Sequence, residues 1–146
     1  MLGLRHQLRA DSTTNSETVI DWTMLMSTLA LVSGVVLLLQ ADTSWALHVY
    51  DTAKLLPGAP QSWGAVILVG GVLMFTGMFT GKRKVFIVGT WIGVLWNFFF
   101  AVSFVDEAWN GRVGWQFVLV YVFFAMGHLI TYDTYRKSNA IRDTET

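Results

Sequence analysis

Four long stretches without a charged side chain constrain this chain more than any other feature. They contain no Asp, Glu, Lys or Arg and cover Trp22–Gln40, Gln61–Gly81, Val85–Val105 and Val113–Tyr132. A hydrocarbon core about 30 Å thick needs about 20 helical residues, which is close to the length of each stretch. A transmembrane strand would need only about 10 residues with strict alternation, which these stretches lack. The sequence therefore predicts an all-α, integral membrane four-helix bundle that forms a single domain over residues 1–146.

The composition supports a membrane location and narrows the classes of function. Hydrophobic residues make up 53% of the chain and charged residues 14%, whereas a soluble domain carries about 25% charged residues. Basic and acidic residues balance at 10 each, so no net positive field attracts nucleic acid. The chain has no cysteine, which excludes disulfides and cysteine-based metal sites. We expect the lipid bilayer as its surroundings and no nucleic-acid partner.

The basic residues that flank the stretches predict the orientation in the membrane. With four spans, Lys54 and Arg112 fall on one side. The other eight fall together on the opposite side: Arg5, Arg9, Lys82, Arg83, Lys84, Arg136, Lys137 and Arg142. Because cytoplasmic loops carry an excess of Lys and Arg, both termini are predicted to be cytoplasmic. The polar segment 1–21 and the polar tail 133–146 would then lie in the cytoplasm of a multi-pass protein of the inner, cytoplasmic membrane.

The first stretch has an alternative interpretation as the apolar region of a cleaved signal peptide, with Leu39-Gln40-Ala41 as the cleavage site. Such regions usually have about 7–15 apolar residues, fewer than this stretch contains. Acidic residues also precede it, namely Asp11, Glu17 and Asp21. We therefore expect it to be retained as a membrane helix.

The longest loop, over residues 41–60, has apolar residues at helical spacing. These are Trp45, Val49, Ala53 and Leu56. The spacing predicts one apolar face of a short helix, and such a helix could lie on the outer membrane surface. The alternative is an irregular loop with a few apolar anchors.

Small and polar residues within the stretches mark candidate helix contacts. Small side chains let helices approach closely in lipid, where dispersion and hydrogen bonds hold them together. The helix-packing candidates are Gly77, Gly81, Gly89, Gly93, Asn97, Tyr121 and His128. We expect ordinary packing within one chain, and the alternative is an interface between copies.

Asn97 and Tyr121 are predicted to lie at similar depth near the middle of the third and fourth helices. A bare amide in hydrocarbon costs several kcal/mol, so Asn97 needs a hydrogen-bond partner. A contact between these two side chains would supply one and join the helices. The alternative is that Asn97 lines a water-filled path.

His128 is the one strongly ionisable side chain within the stretches, which otherwise hold no carboxylate and no cation. We expect a neutral, structural imidazole that faces the bundle or the inner headgroups. A proton-sensing or ligand-binding role is the alternative. The missing carboxylate argues against a proton-coupled exporter. No hydrolase, zinc-protease or phosphate-loop motif is present, so we predict neither an enzyme nor a cofactor or metal site.

The short chain, the uncharged spans, the basic turn Gly81-Lys82-Arg83-Lys84 and the hydrophilic tail Arg136–Arg142 together resemble small phage-encoded membrane proteins, including multi-span holins. The resemblance is architectural and assigns no role to any residue. It implies oligomerisation in the cytoplasmic membrane and timed permeabilisation that releases a lytic enzyme. The competing hypotheses are a membrane partner or regulator that docks on another membrane protein, and a small channel or transporter.

Overall fold

The computed structural model describes the backbone of residues 2–39, 54, 58–59 and 61–144, and the side chains of this set from 20 to 137. The described residues form helices α1 (Leu2–Leu39), α2 (Gln61–Thr80), α3 (Arg83–Trp109) and α4 (Trp115–Thr144). No strand occurs among them. The predicted all-α four-helix bundle is confirmed.

Each helix contains an apolar segment long enough to cross a bilayer. The segments are Ile20–Leu39, Gln61–Thr80, Arg83–Trp109 and Trp115–Lys137. Large apolar side chains such as Val32, Leu95 and Leu119 point outward and are more than half exposed. An outward apolar surface of this kind suits lipid, so the chain is a multi-pass membrane protein.

The helices extend beyond the uncharged stretches. Helix α1 begins at Leu2 and takes in the polar N-terminal segment, and α4 continues through the tail to Thr144. Helix α3 ends at Trp109, four residues beyond the end of the third uncharged stretch at Val105. Hydropathy marks where a helix meets lipid, whereas the helix itself continues as long as its backbone hydrogen bonds do.

The predicted outer helix cannot be compared in the same way. Its marker residues Trp45, Val49, Ala53 and Leu56 lie outside the described residues. The proposed cleavage site at residues 39–41 also falls largely outside them. Both predictions stay predictions.

The helices alternate in direction, and each packs closely on its neighbour in the chain, while α1 and α4 touch much more sparsely. We call the end with the α2–α3 turn and Lys82–Lys84 the basic end. Met26, Met74 and Phe86 form a buried cluster toward this end. A second cluster around Ile67, Trp96, Phe100 and Phe104 lies toward the opposite end. The seam between α1 and α4 is thus the loosest contact between neighbouring helices.

Two glycines named by the sequence pattern allow the close approach of α2 and α3. A Cβ atom added to Gly89 would lie 2.6 Å from the carbonyl oxygen of Gly70. A Cβ added to Gly77 would collide with the backbone of Phe86. Both positions are therefore contacts between helices, within one chain.

Gly81 was predicted as a helix-packing residue, and this prediction is wrong. Helix α2 ends at Thr80, and Gly81 follows it with a φ of +66°. A Cβ added there would meet nothing within 4 Å. Gly81 serves the turn instead, because glycine adopts this left-handed conformation at a helix end without a steric cost.

Candidate functional site

A cleft of about 400 Å³ lies between α1 and α4 and is partly open to the surroundings of the bundle. Its polar lining residues are Ser33, Asn97, Tyr121 and His128. The remaining lining residues are apolar: Leu29, Ala30, Val36, Leu37, Ile67, Trp96, Phe117, Val120 and Phe124. The cleft thus brings together three of the seven helix-packing candidates behind the loosest seam.

His128 fills a space that Gly93 provides. The His128 side chain is 1% exposed, and a Cβ added to Gly93 would lie 2.6 Å from Cε1 and 2.7 Å from Nε2 of the imidazole. The Nδ1 atom is buried and has no hydrogen-bond partner in the structure. The imidazole therefore faces the bundle, as expected, and its Nδ1 makes no hydrogen bond to another helix.

Asn97 lies beside this imidazole and is 4% exposed. Its Nδ2 donates a hydrogen bond of 2.8 Å to the carbonyl oxygen of Gly93, one turn earlier in α3. The amide thus finds an acceptor on its own helix, where the sequence analysis predicted one on α4. Asn97 nevertheless lines the same cleft as Tyr121 and His128.

Aromatic rings join α3 to α4 beside the cleft. The Tyr121 ring stacks on Phe100 and Phe104, with ring centroids 5.4 Å and 5.3 Å apart. Trp96 donates a hydrogen bond of 3.1 Å from Nε1 to the carbonyl oxygen of Trp63 on α2. These contacts pack α2, α3 and α4 together beside the cleft, and α1 packs closely on α2. The loosest boundary of the cleft is therefore the contact between α1 and α4.

Most buried hydroxyl groups bond to their own helix. Ser27 Oγ donates to Thr23 O at 2.7 Å, Thr90 Oγ1 to Phe86 O at 2.9 Å, and Thr131 Oγ1 to Gly127 O at 2.8 Å. Across the seam, Trp22 Nε1 donates to Gly127 O at 3.2 Å. Polar groups lie inside the bundle, yet many of their hydrogen bonds would survive if α1 and α4 separated.

Sequence reasoning missed a buried carboxylate at the opposite end of the bundle. Glu107 lies in the last turn of α3, and its side chain is 2% exposed. Its Oε2 lies 3.1 Å from Nη1 of Arg112 and forms an ion pair with it, and the Arg112 side chain is half exposed. Glu107 lies just beyond the uncharged stretch Val85–Val105 but within the longer apolar segment Arg83–Trp109, so a carboxylate is buried at the end of a candidate span. Spacing could have revealed it, because Phe100, Phe104 and Glu107 share one face of a helix.

The basic turn and the basic C-terminal residues lie at the same end of the bundle. Lys82, Arg83 and Lys84 are exposed at the α2–α3 turn, and Arg136 and Lys137 are exposed toward the end of α4. Lys137 forms a 2.6 Å ion pair with Asp133 one turn earlier. Arg112 lies at the opposite end, beside the α3–α4 turn. These basic residues therefore lie at the two ends of the bundle that the topology prediction assigns to them. Which end faces the cytoplasm stays a prediction.

Neither metal binding nor similarity to known proteins adds to this picture. Within residues 2–39, 54, 58–59 and 61–144, no three His, Cys, Asp or Glu side chains come together as metal ligands. The chain matches no protein-family model, no curated protein and no solved structure. The cleft and the α1–α4 seam are the features that bear on function.

Proposed function

We propose that this protein is a holin-like, oligomer-forming permeabiliser of the inner, cytoplasmic membrane, and that it opens at the α1–α4 seam. One observation carries the proposal. Side chains that could line a water-filled path, above all Asn97, Tyr121 and His128, lie directly behind the loosest pair of neighbouring helices. The proposed activity needs no catalysis, cofactor or metal.

The closed bundle suits a protein that accumulates without damage. Its outward side chains are mainly apolar, as at Val32, Leu95 and Leu119, so single bundles rest in lipid while Asn97 and His128 stay buried. An opened seam would turn Asn97 and His128 toward lipid, which is unfavourable. A second opened bundle facing the first would relieve that cost. Opening and self-association are therefore coupled, and permeabilisation rises steeply with protein concentration.

In the part of the seam whose side chains the structure describes, the buried hydroxyls do not hold α1 to α4. The hydroxyls of Ser27 and Thr131 keep their acceptors within their own helices. Breaking the Trp22–Gly127 hydrogen bond costs on the order of 0.6 kcal/mol, the average for such bonds in membranes. Dispersion contacts supply the rest, and they re-form when two opened faces meet.

A disulfide across the seam tests the proposal, and the absence of native cysteines makes it clean. Met26 Sδ lies 2.9 Å from the position of a Cβ on residue 127, so Met26→Cys makes room for Gly127→Cys. We expect the oxidised pair to retain calcein in phosphatidylethanolamine–phosphatidylglycerol vesicles. Dithiothreitol should then trigger release. Each single-cysteine variant, oxidised in parallel, should release calcein throughout.

The outcome also separates the alternatives. Equal calcein release from the oxidised and reduced pair would contradict opening at the seam. A small channel or transporter is the second candidate, because Asn97 and His128 line one cleft. It would give graded, ion-selective conductance without calcein release. Absence of either effect at all protein concentrations would favour a membrane partner or regulator.

A further inference from the structure

We infer that the α1–α4 cleft is a binding site for a neutral long-chain molecule with one hydroxyl or carbonyl group, and that this group hydrogen-bonds His128. The inference goes beyond permeabilisation and does not depend on it, because binding to the closed bundle is measured directly. Three observations carry it: the shape of the cleft, the position of its polar groups and the missing partner of the imidazole.

The cleft is long and follows the helix axes. Its lining on α1 runs from Leu29 to Leu37, about 12 Å at 1.5 Å per residue, and on α4 from Phe117 to His128, about 16 Å. Its volume is about 400 Å³, within the range of roughly 300–1,000 Å³ typical of ligand sites. A partner helix about 10 Å across is too wide for this volume. An extended aliphatic chain fits both dimensions.

The polar lining residues are spread along the cleft. Asn97 and His128 lie in the half nearer the basic end, while Tyr121 lies one helical turn from Phe117, toward the other end, which Val36 and Leu37 also line. The lining includes no cationic side chain, so a phosphate or carboxylate head would be buried without a counter-charge, which is costly. The head group is therefore neutral, and the chain extends toward the opposite end.

His128 supplies the specific recognition. Its side chain is 1% exposed, and Nδ1 has no hydrogen-bond partner. Leaving a buried polar atom unpaired destabilises a fold. A neutral imidazole nitrogen either donates or accepts, depending on the tautomer, so both a carbonyl and a hydroxyl suit it. Gly93 leaves the space that the ring occupies, since a side chain at that position would collide with the imidazole.

Trp96 lines the cleft and reports occupancy through quenching by brominated chains. The probe is ω-bromoundecanol, and the matched control is bromoundecane, which lacks the hydroxyl. Both are added at equal mole fraction in vesicles, and the Trp96→Phe variant defines the signal of the other tryptophans. We expect saturable quenching by the alcohol at about tenfold lower mole fraction than by the alkane, the size expected for one hydrogen bond to a buried group.

Variants test the role of the imidazole. His128→Leu should abolish the preference for the alcohol, and His128→Gln should retain part of it because an amide still hydrogen-bonds. Leu119→Val, on the exposed face of α4, should leave quenching unchanged. Equal quenching by alcohol and alkane in the unmodified protein would overturn the inference. So would a preference that survives in a folded His128→Leu variant, or the absence of saturable quenching.

Discussion

Gly93 and His128 act as a pair, because the side chain that Gly93 lacks is the space that the imidazole occupies. The sequence pattern marked both residues as helix-packing candidates but did not predict that they contact each other. Periodicity tells which residues share a face of one helix, and it carries no information about which residue on another helix meets that face. The pairing depends on the relative height and rotation of α3 and α4, which only packing decides.

Gly93→Ala should destabilise the bundle by about 1–3 kcal/mol, as overpacking does. The added Cβ would lie 2.6 Å from the imidazole. Thermal unfolding in detergent measures the change. Val88→Leu is the control, since Val88 lies on the same helix and is 52% exposed. In a His128→Ala background the cost of Gly93→Ala should fall, and an unchanged cost would mean that the two residues do not interact.

His128→Leu should stabilise the protein by about 1 kcal/mol, because a buried nitrogen without a partner carries a desolvation cost that leucine lacks. Chemical unfolding in mixed micelles, without added alcohol, measures this difference. A clear loss of stability would indicate a hydrogen bond to Nδ1 and contradict the unpaired imidazole.

At the scale of elements, the end of α3 is braced by Arg112. Its backbone nitrogen donates to the carbonyl oxygen of Glu107 at 2.9 Å, and its guanidinium pairs with the Glu107 carboxylate at 3.1 Å. Both bonds fix the turn that leads into α4. The uncharged stretch ends at Val105 because Asp106 is charged, whereas the helix continues through Glu107 to Trp109.

Arg112→Met should destabilise the bundle more than Glu107→Gln, since it leaves a buried carboxylate unpaired. We expect a loss on the order of 2 kcal/mol, below the roughly 3–5 kcal/mol of fully buried pairs because Arg112 is half exposed. The double variant Glu107→Gln/Arg112→Met should recover most of this loss. Thermal unfolding of the three variants checks the order, and equal stability of both single variants would refute it.

At the scale of the whole molecule, the sequence predicted the number of spans and the segregation of basic residues, because both depend on transfer into lipid. It did not predict the cleft. Which neighbouring helices pack most loosely depends on side-chain shape, and no hydropathy pattern encodes that. Asn97 shows the same limit, since its depth was predictable while its acceptor at Gly93 O was not.

The orientation remains a prediction and is tested with single cysteines at Ser12, Thr52, Arg83, Asn110 and Thr144. An impermeant maleimide added to intact cells should label only the cysteines at 52 and 110, because basic residues stay cytoplasmic. Lysed cells, in which all five sites are accessible, provide the control. Labelling of the cysteine at 83 without labelling of the cysteine at 52 would show the opposite orientation and contradict the prediction.

The turn between α2 and α3 bears on how the chain enters the bilayer. Only Gly81 and Lys82 separate the two helices, so the second helix cannot be released into lipid far from the third. The two helices would enter the membrane close together, and Lys82, Arg83 and Lys84 in the turn between them would stay on the side from which insertion starts. In the predicted orientation the segment before α2 has to cross the membrane, so α1 and α2 would enter as a pair while the α2–α3 turn stays on the cytoplasmic side.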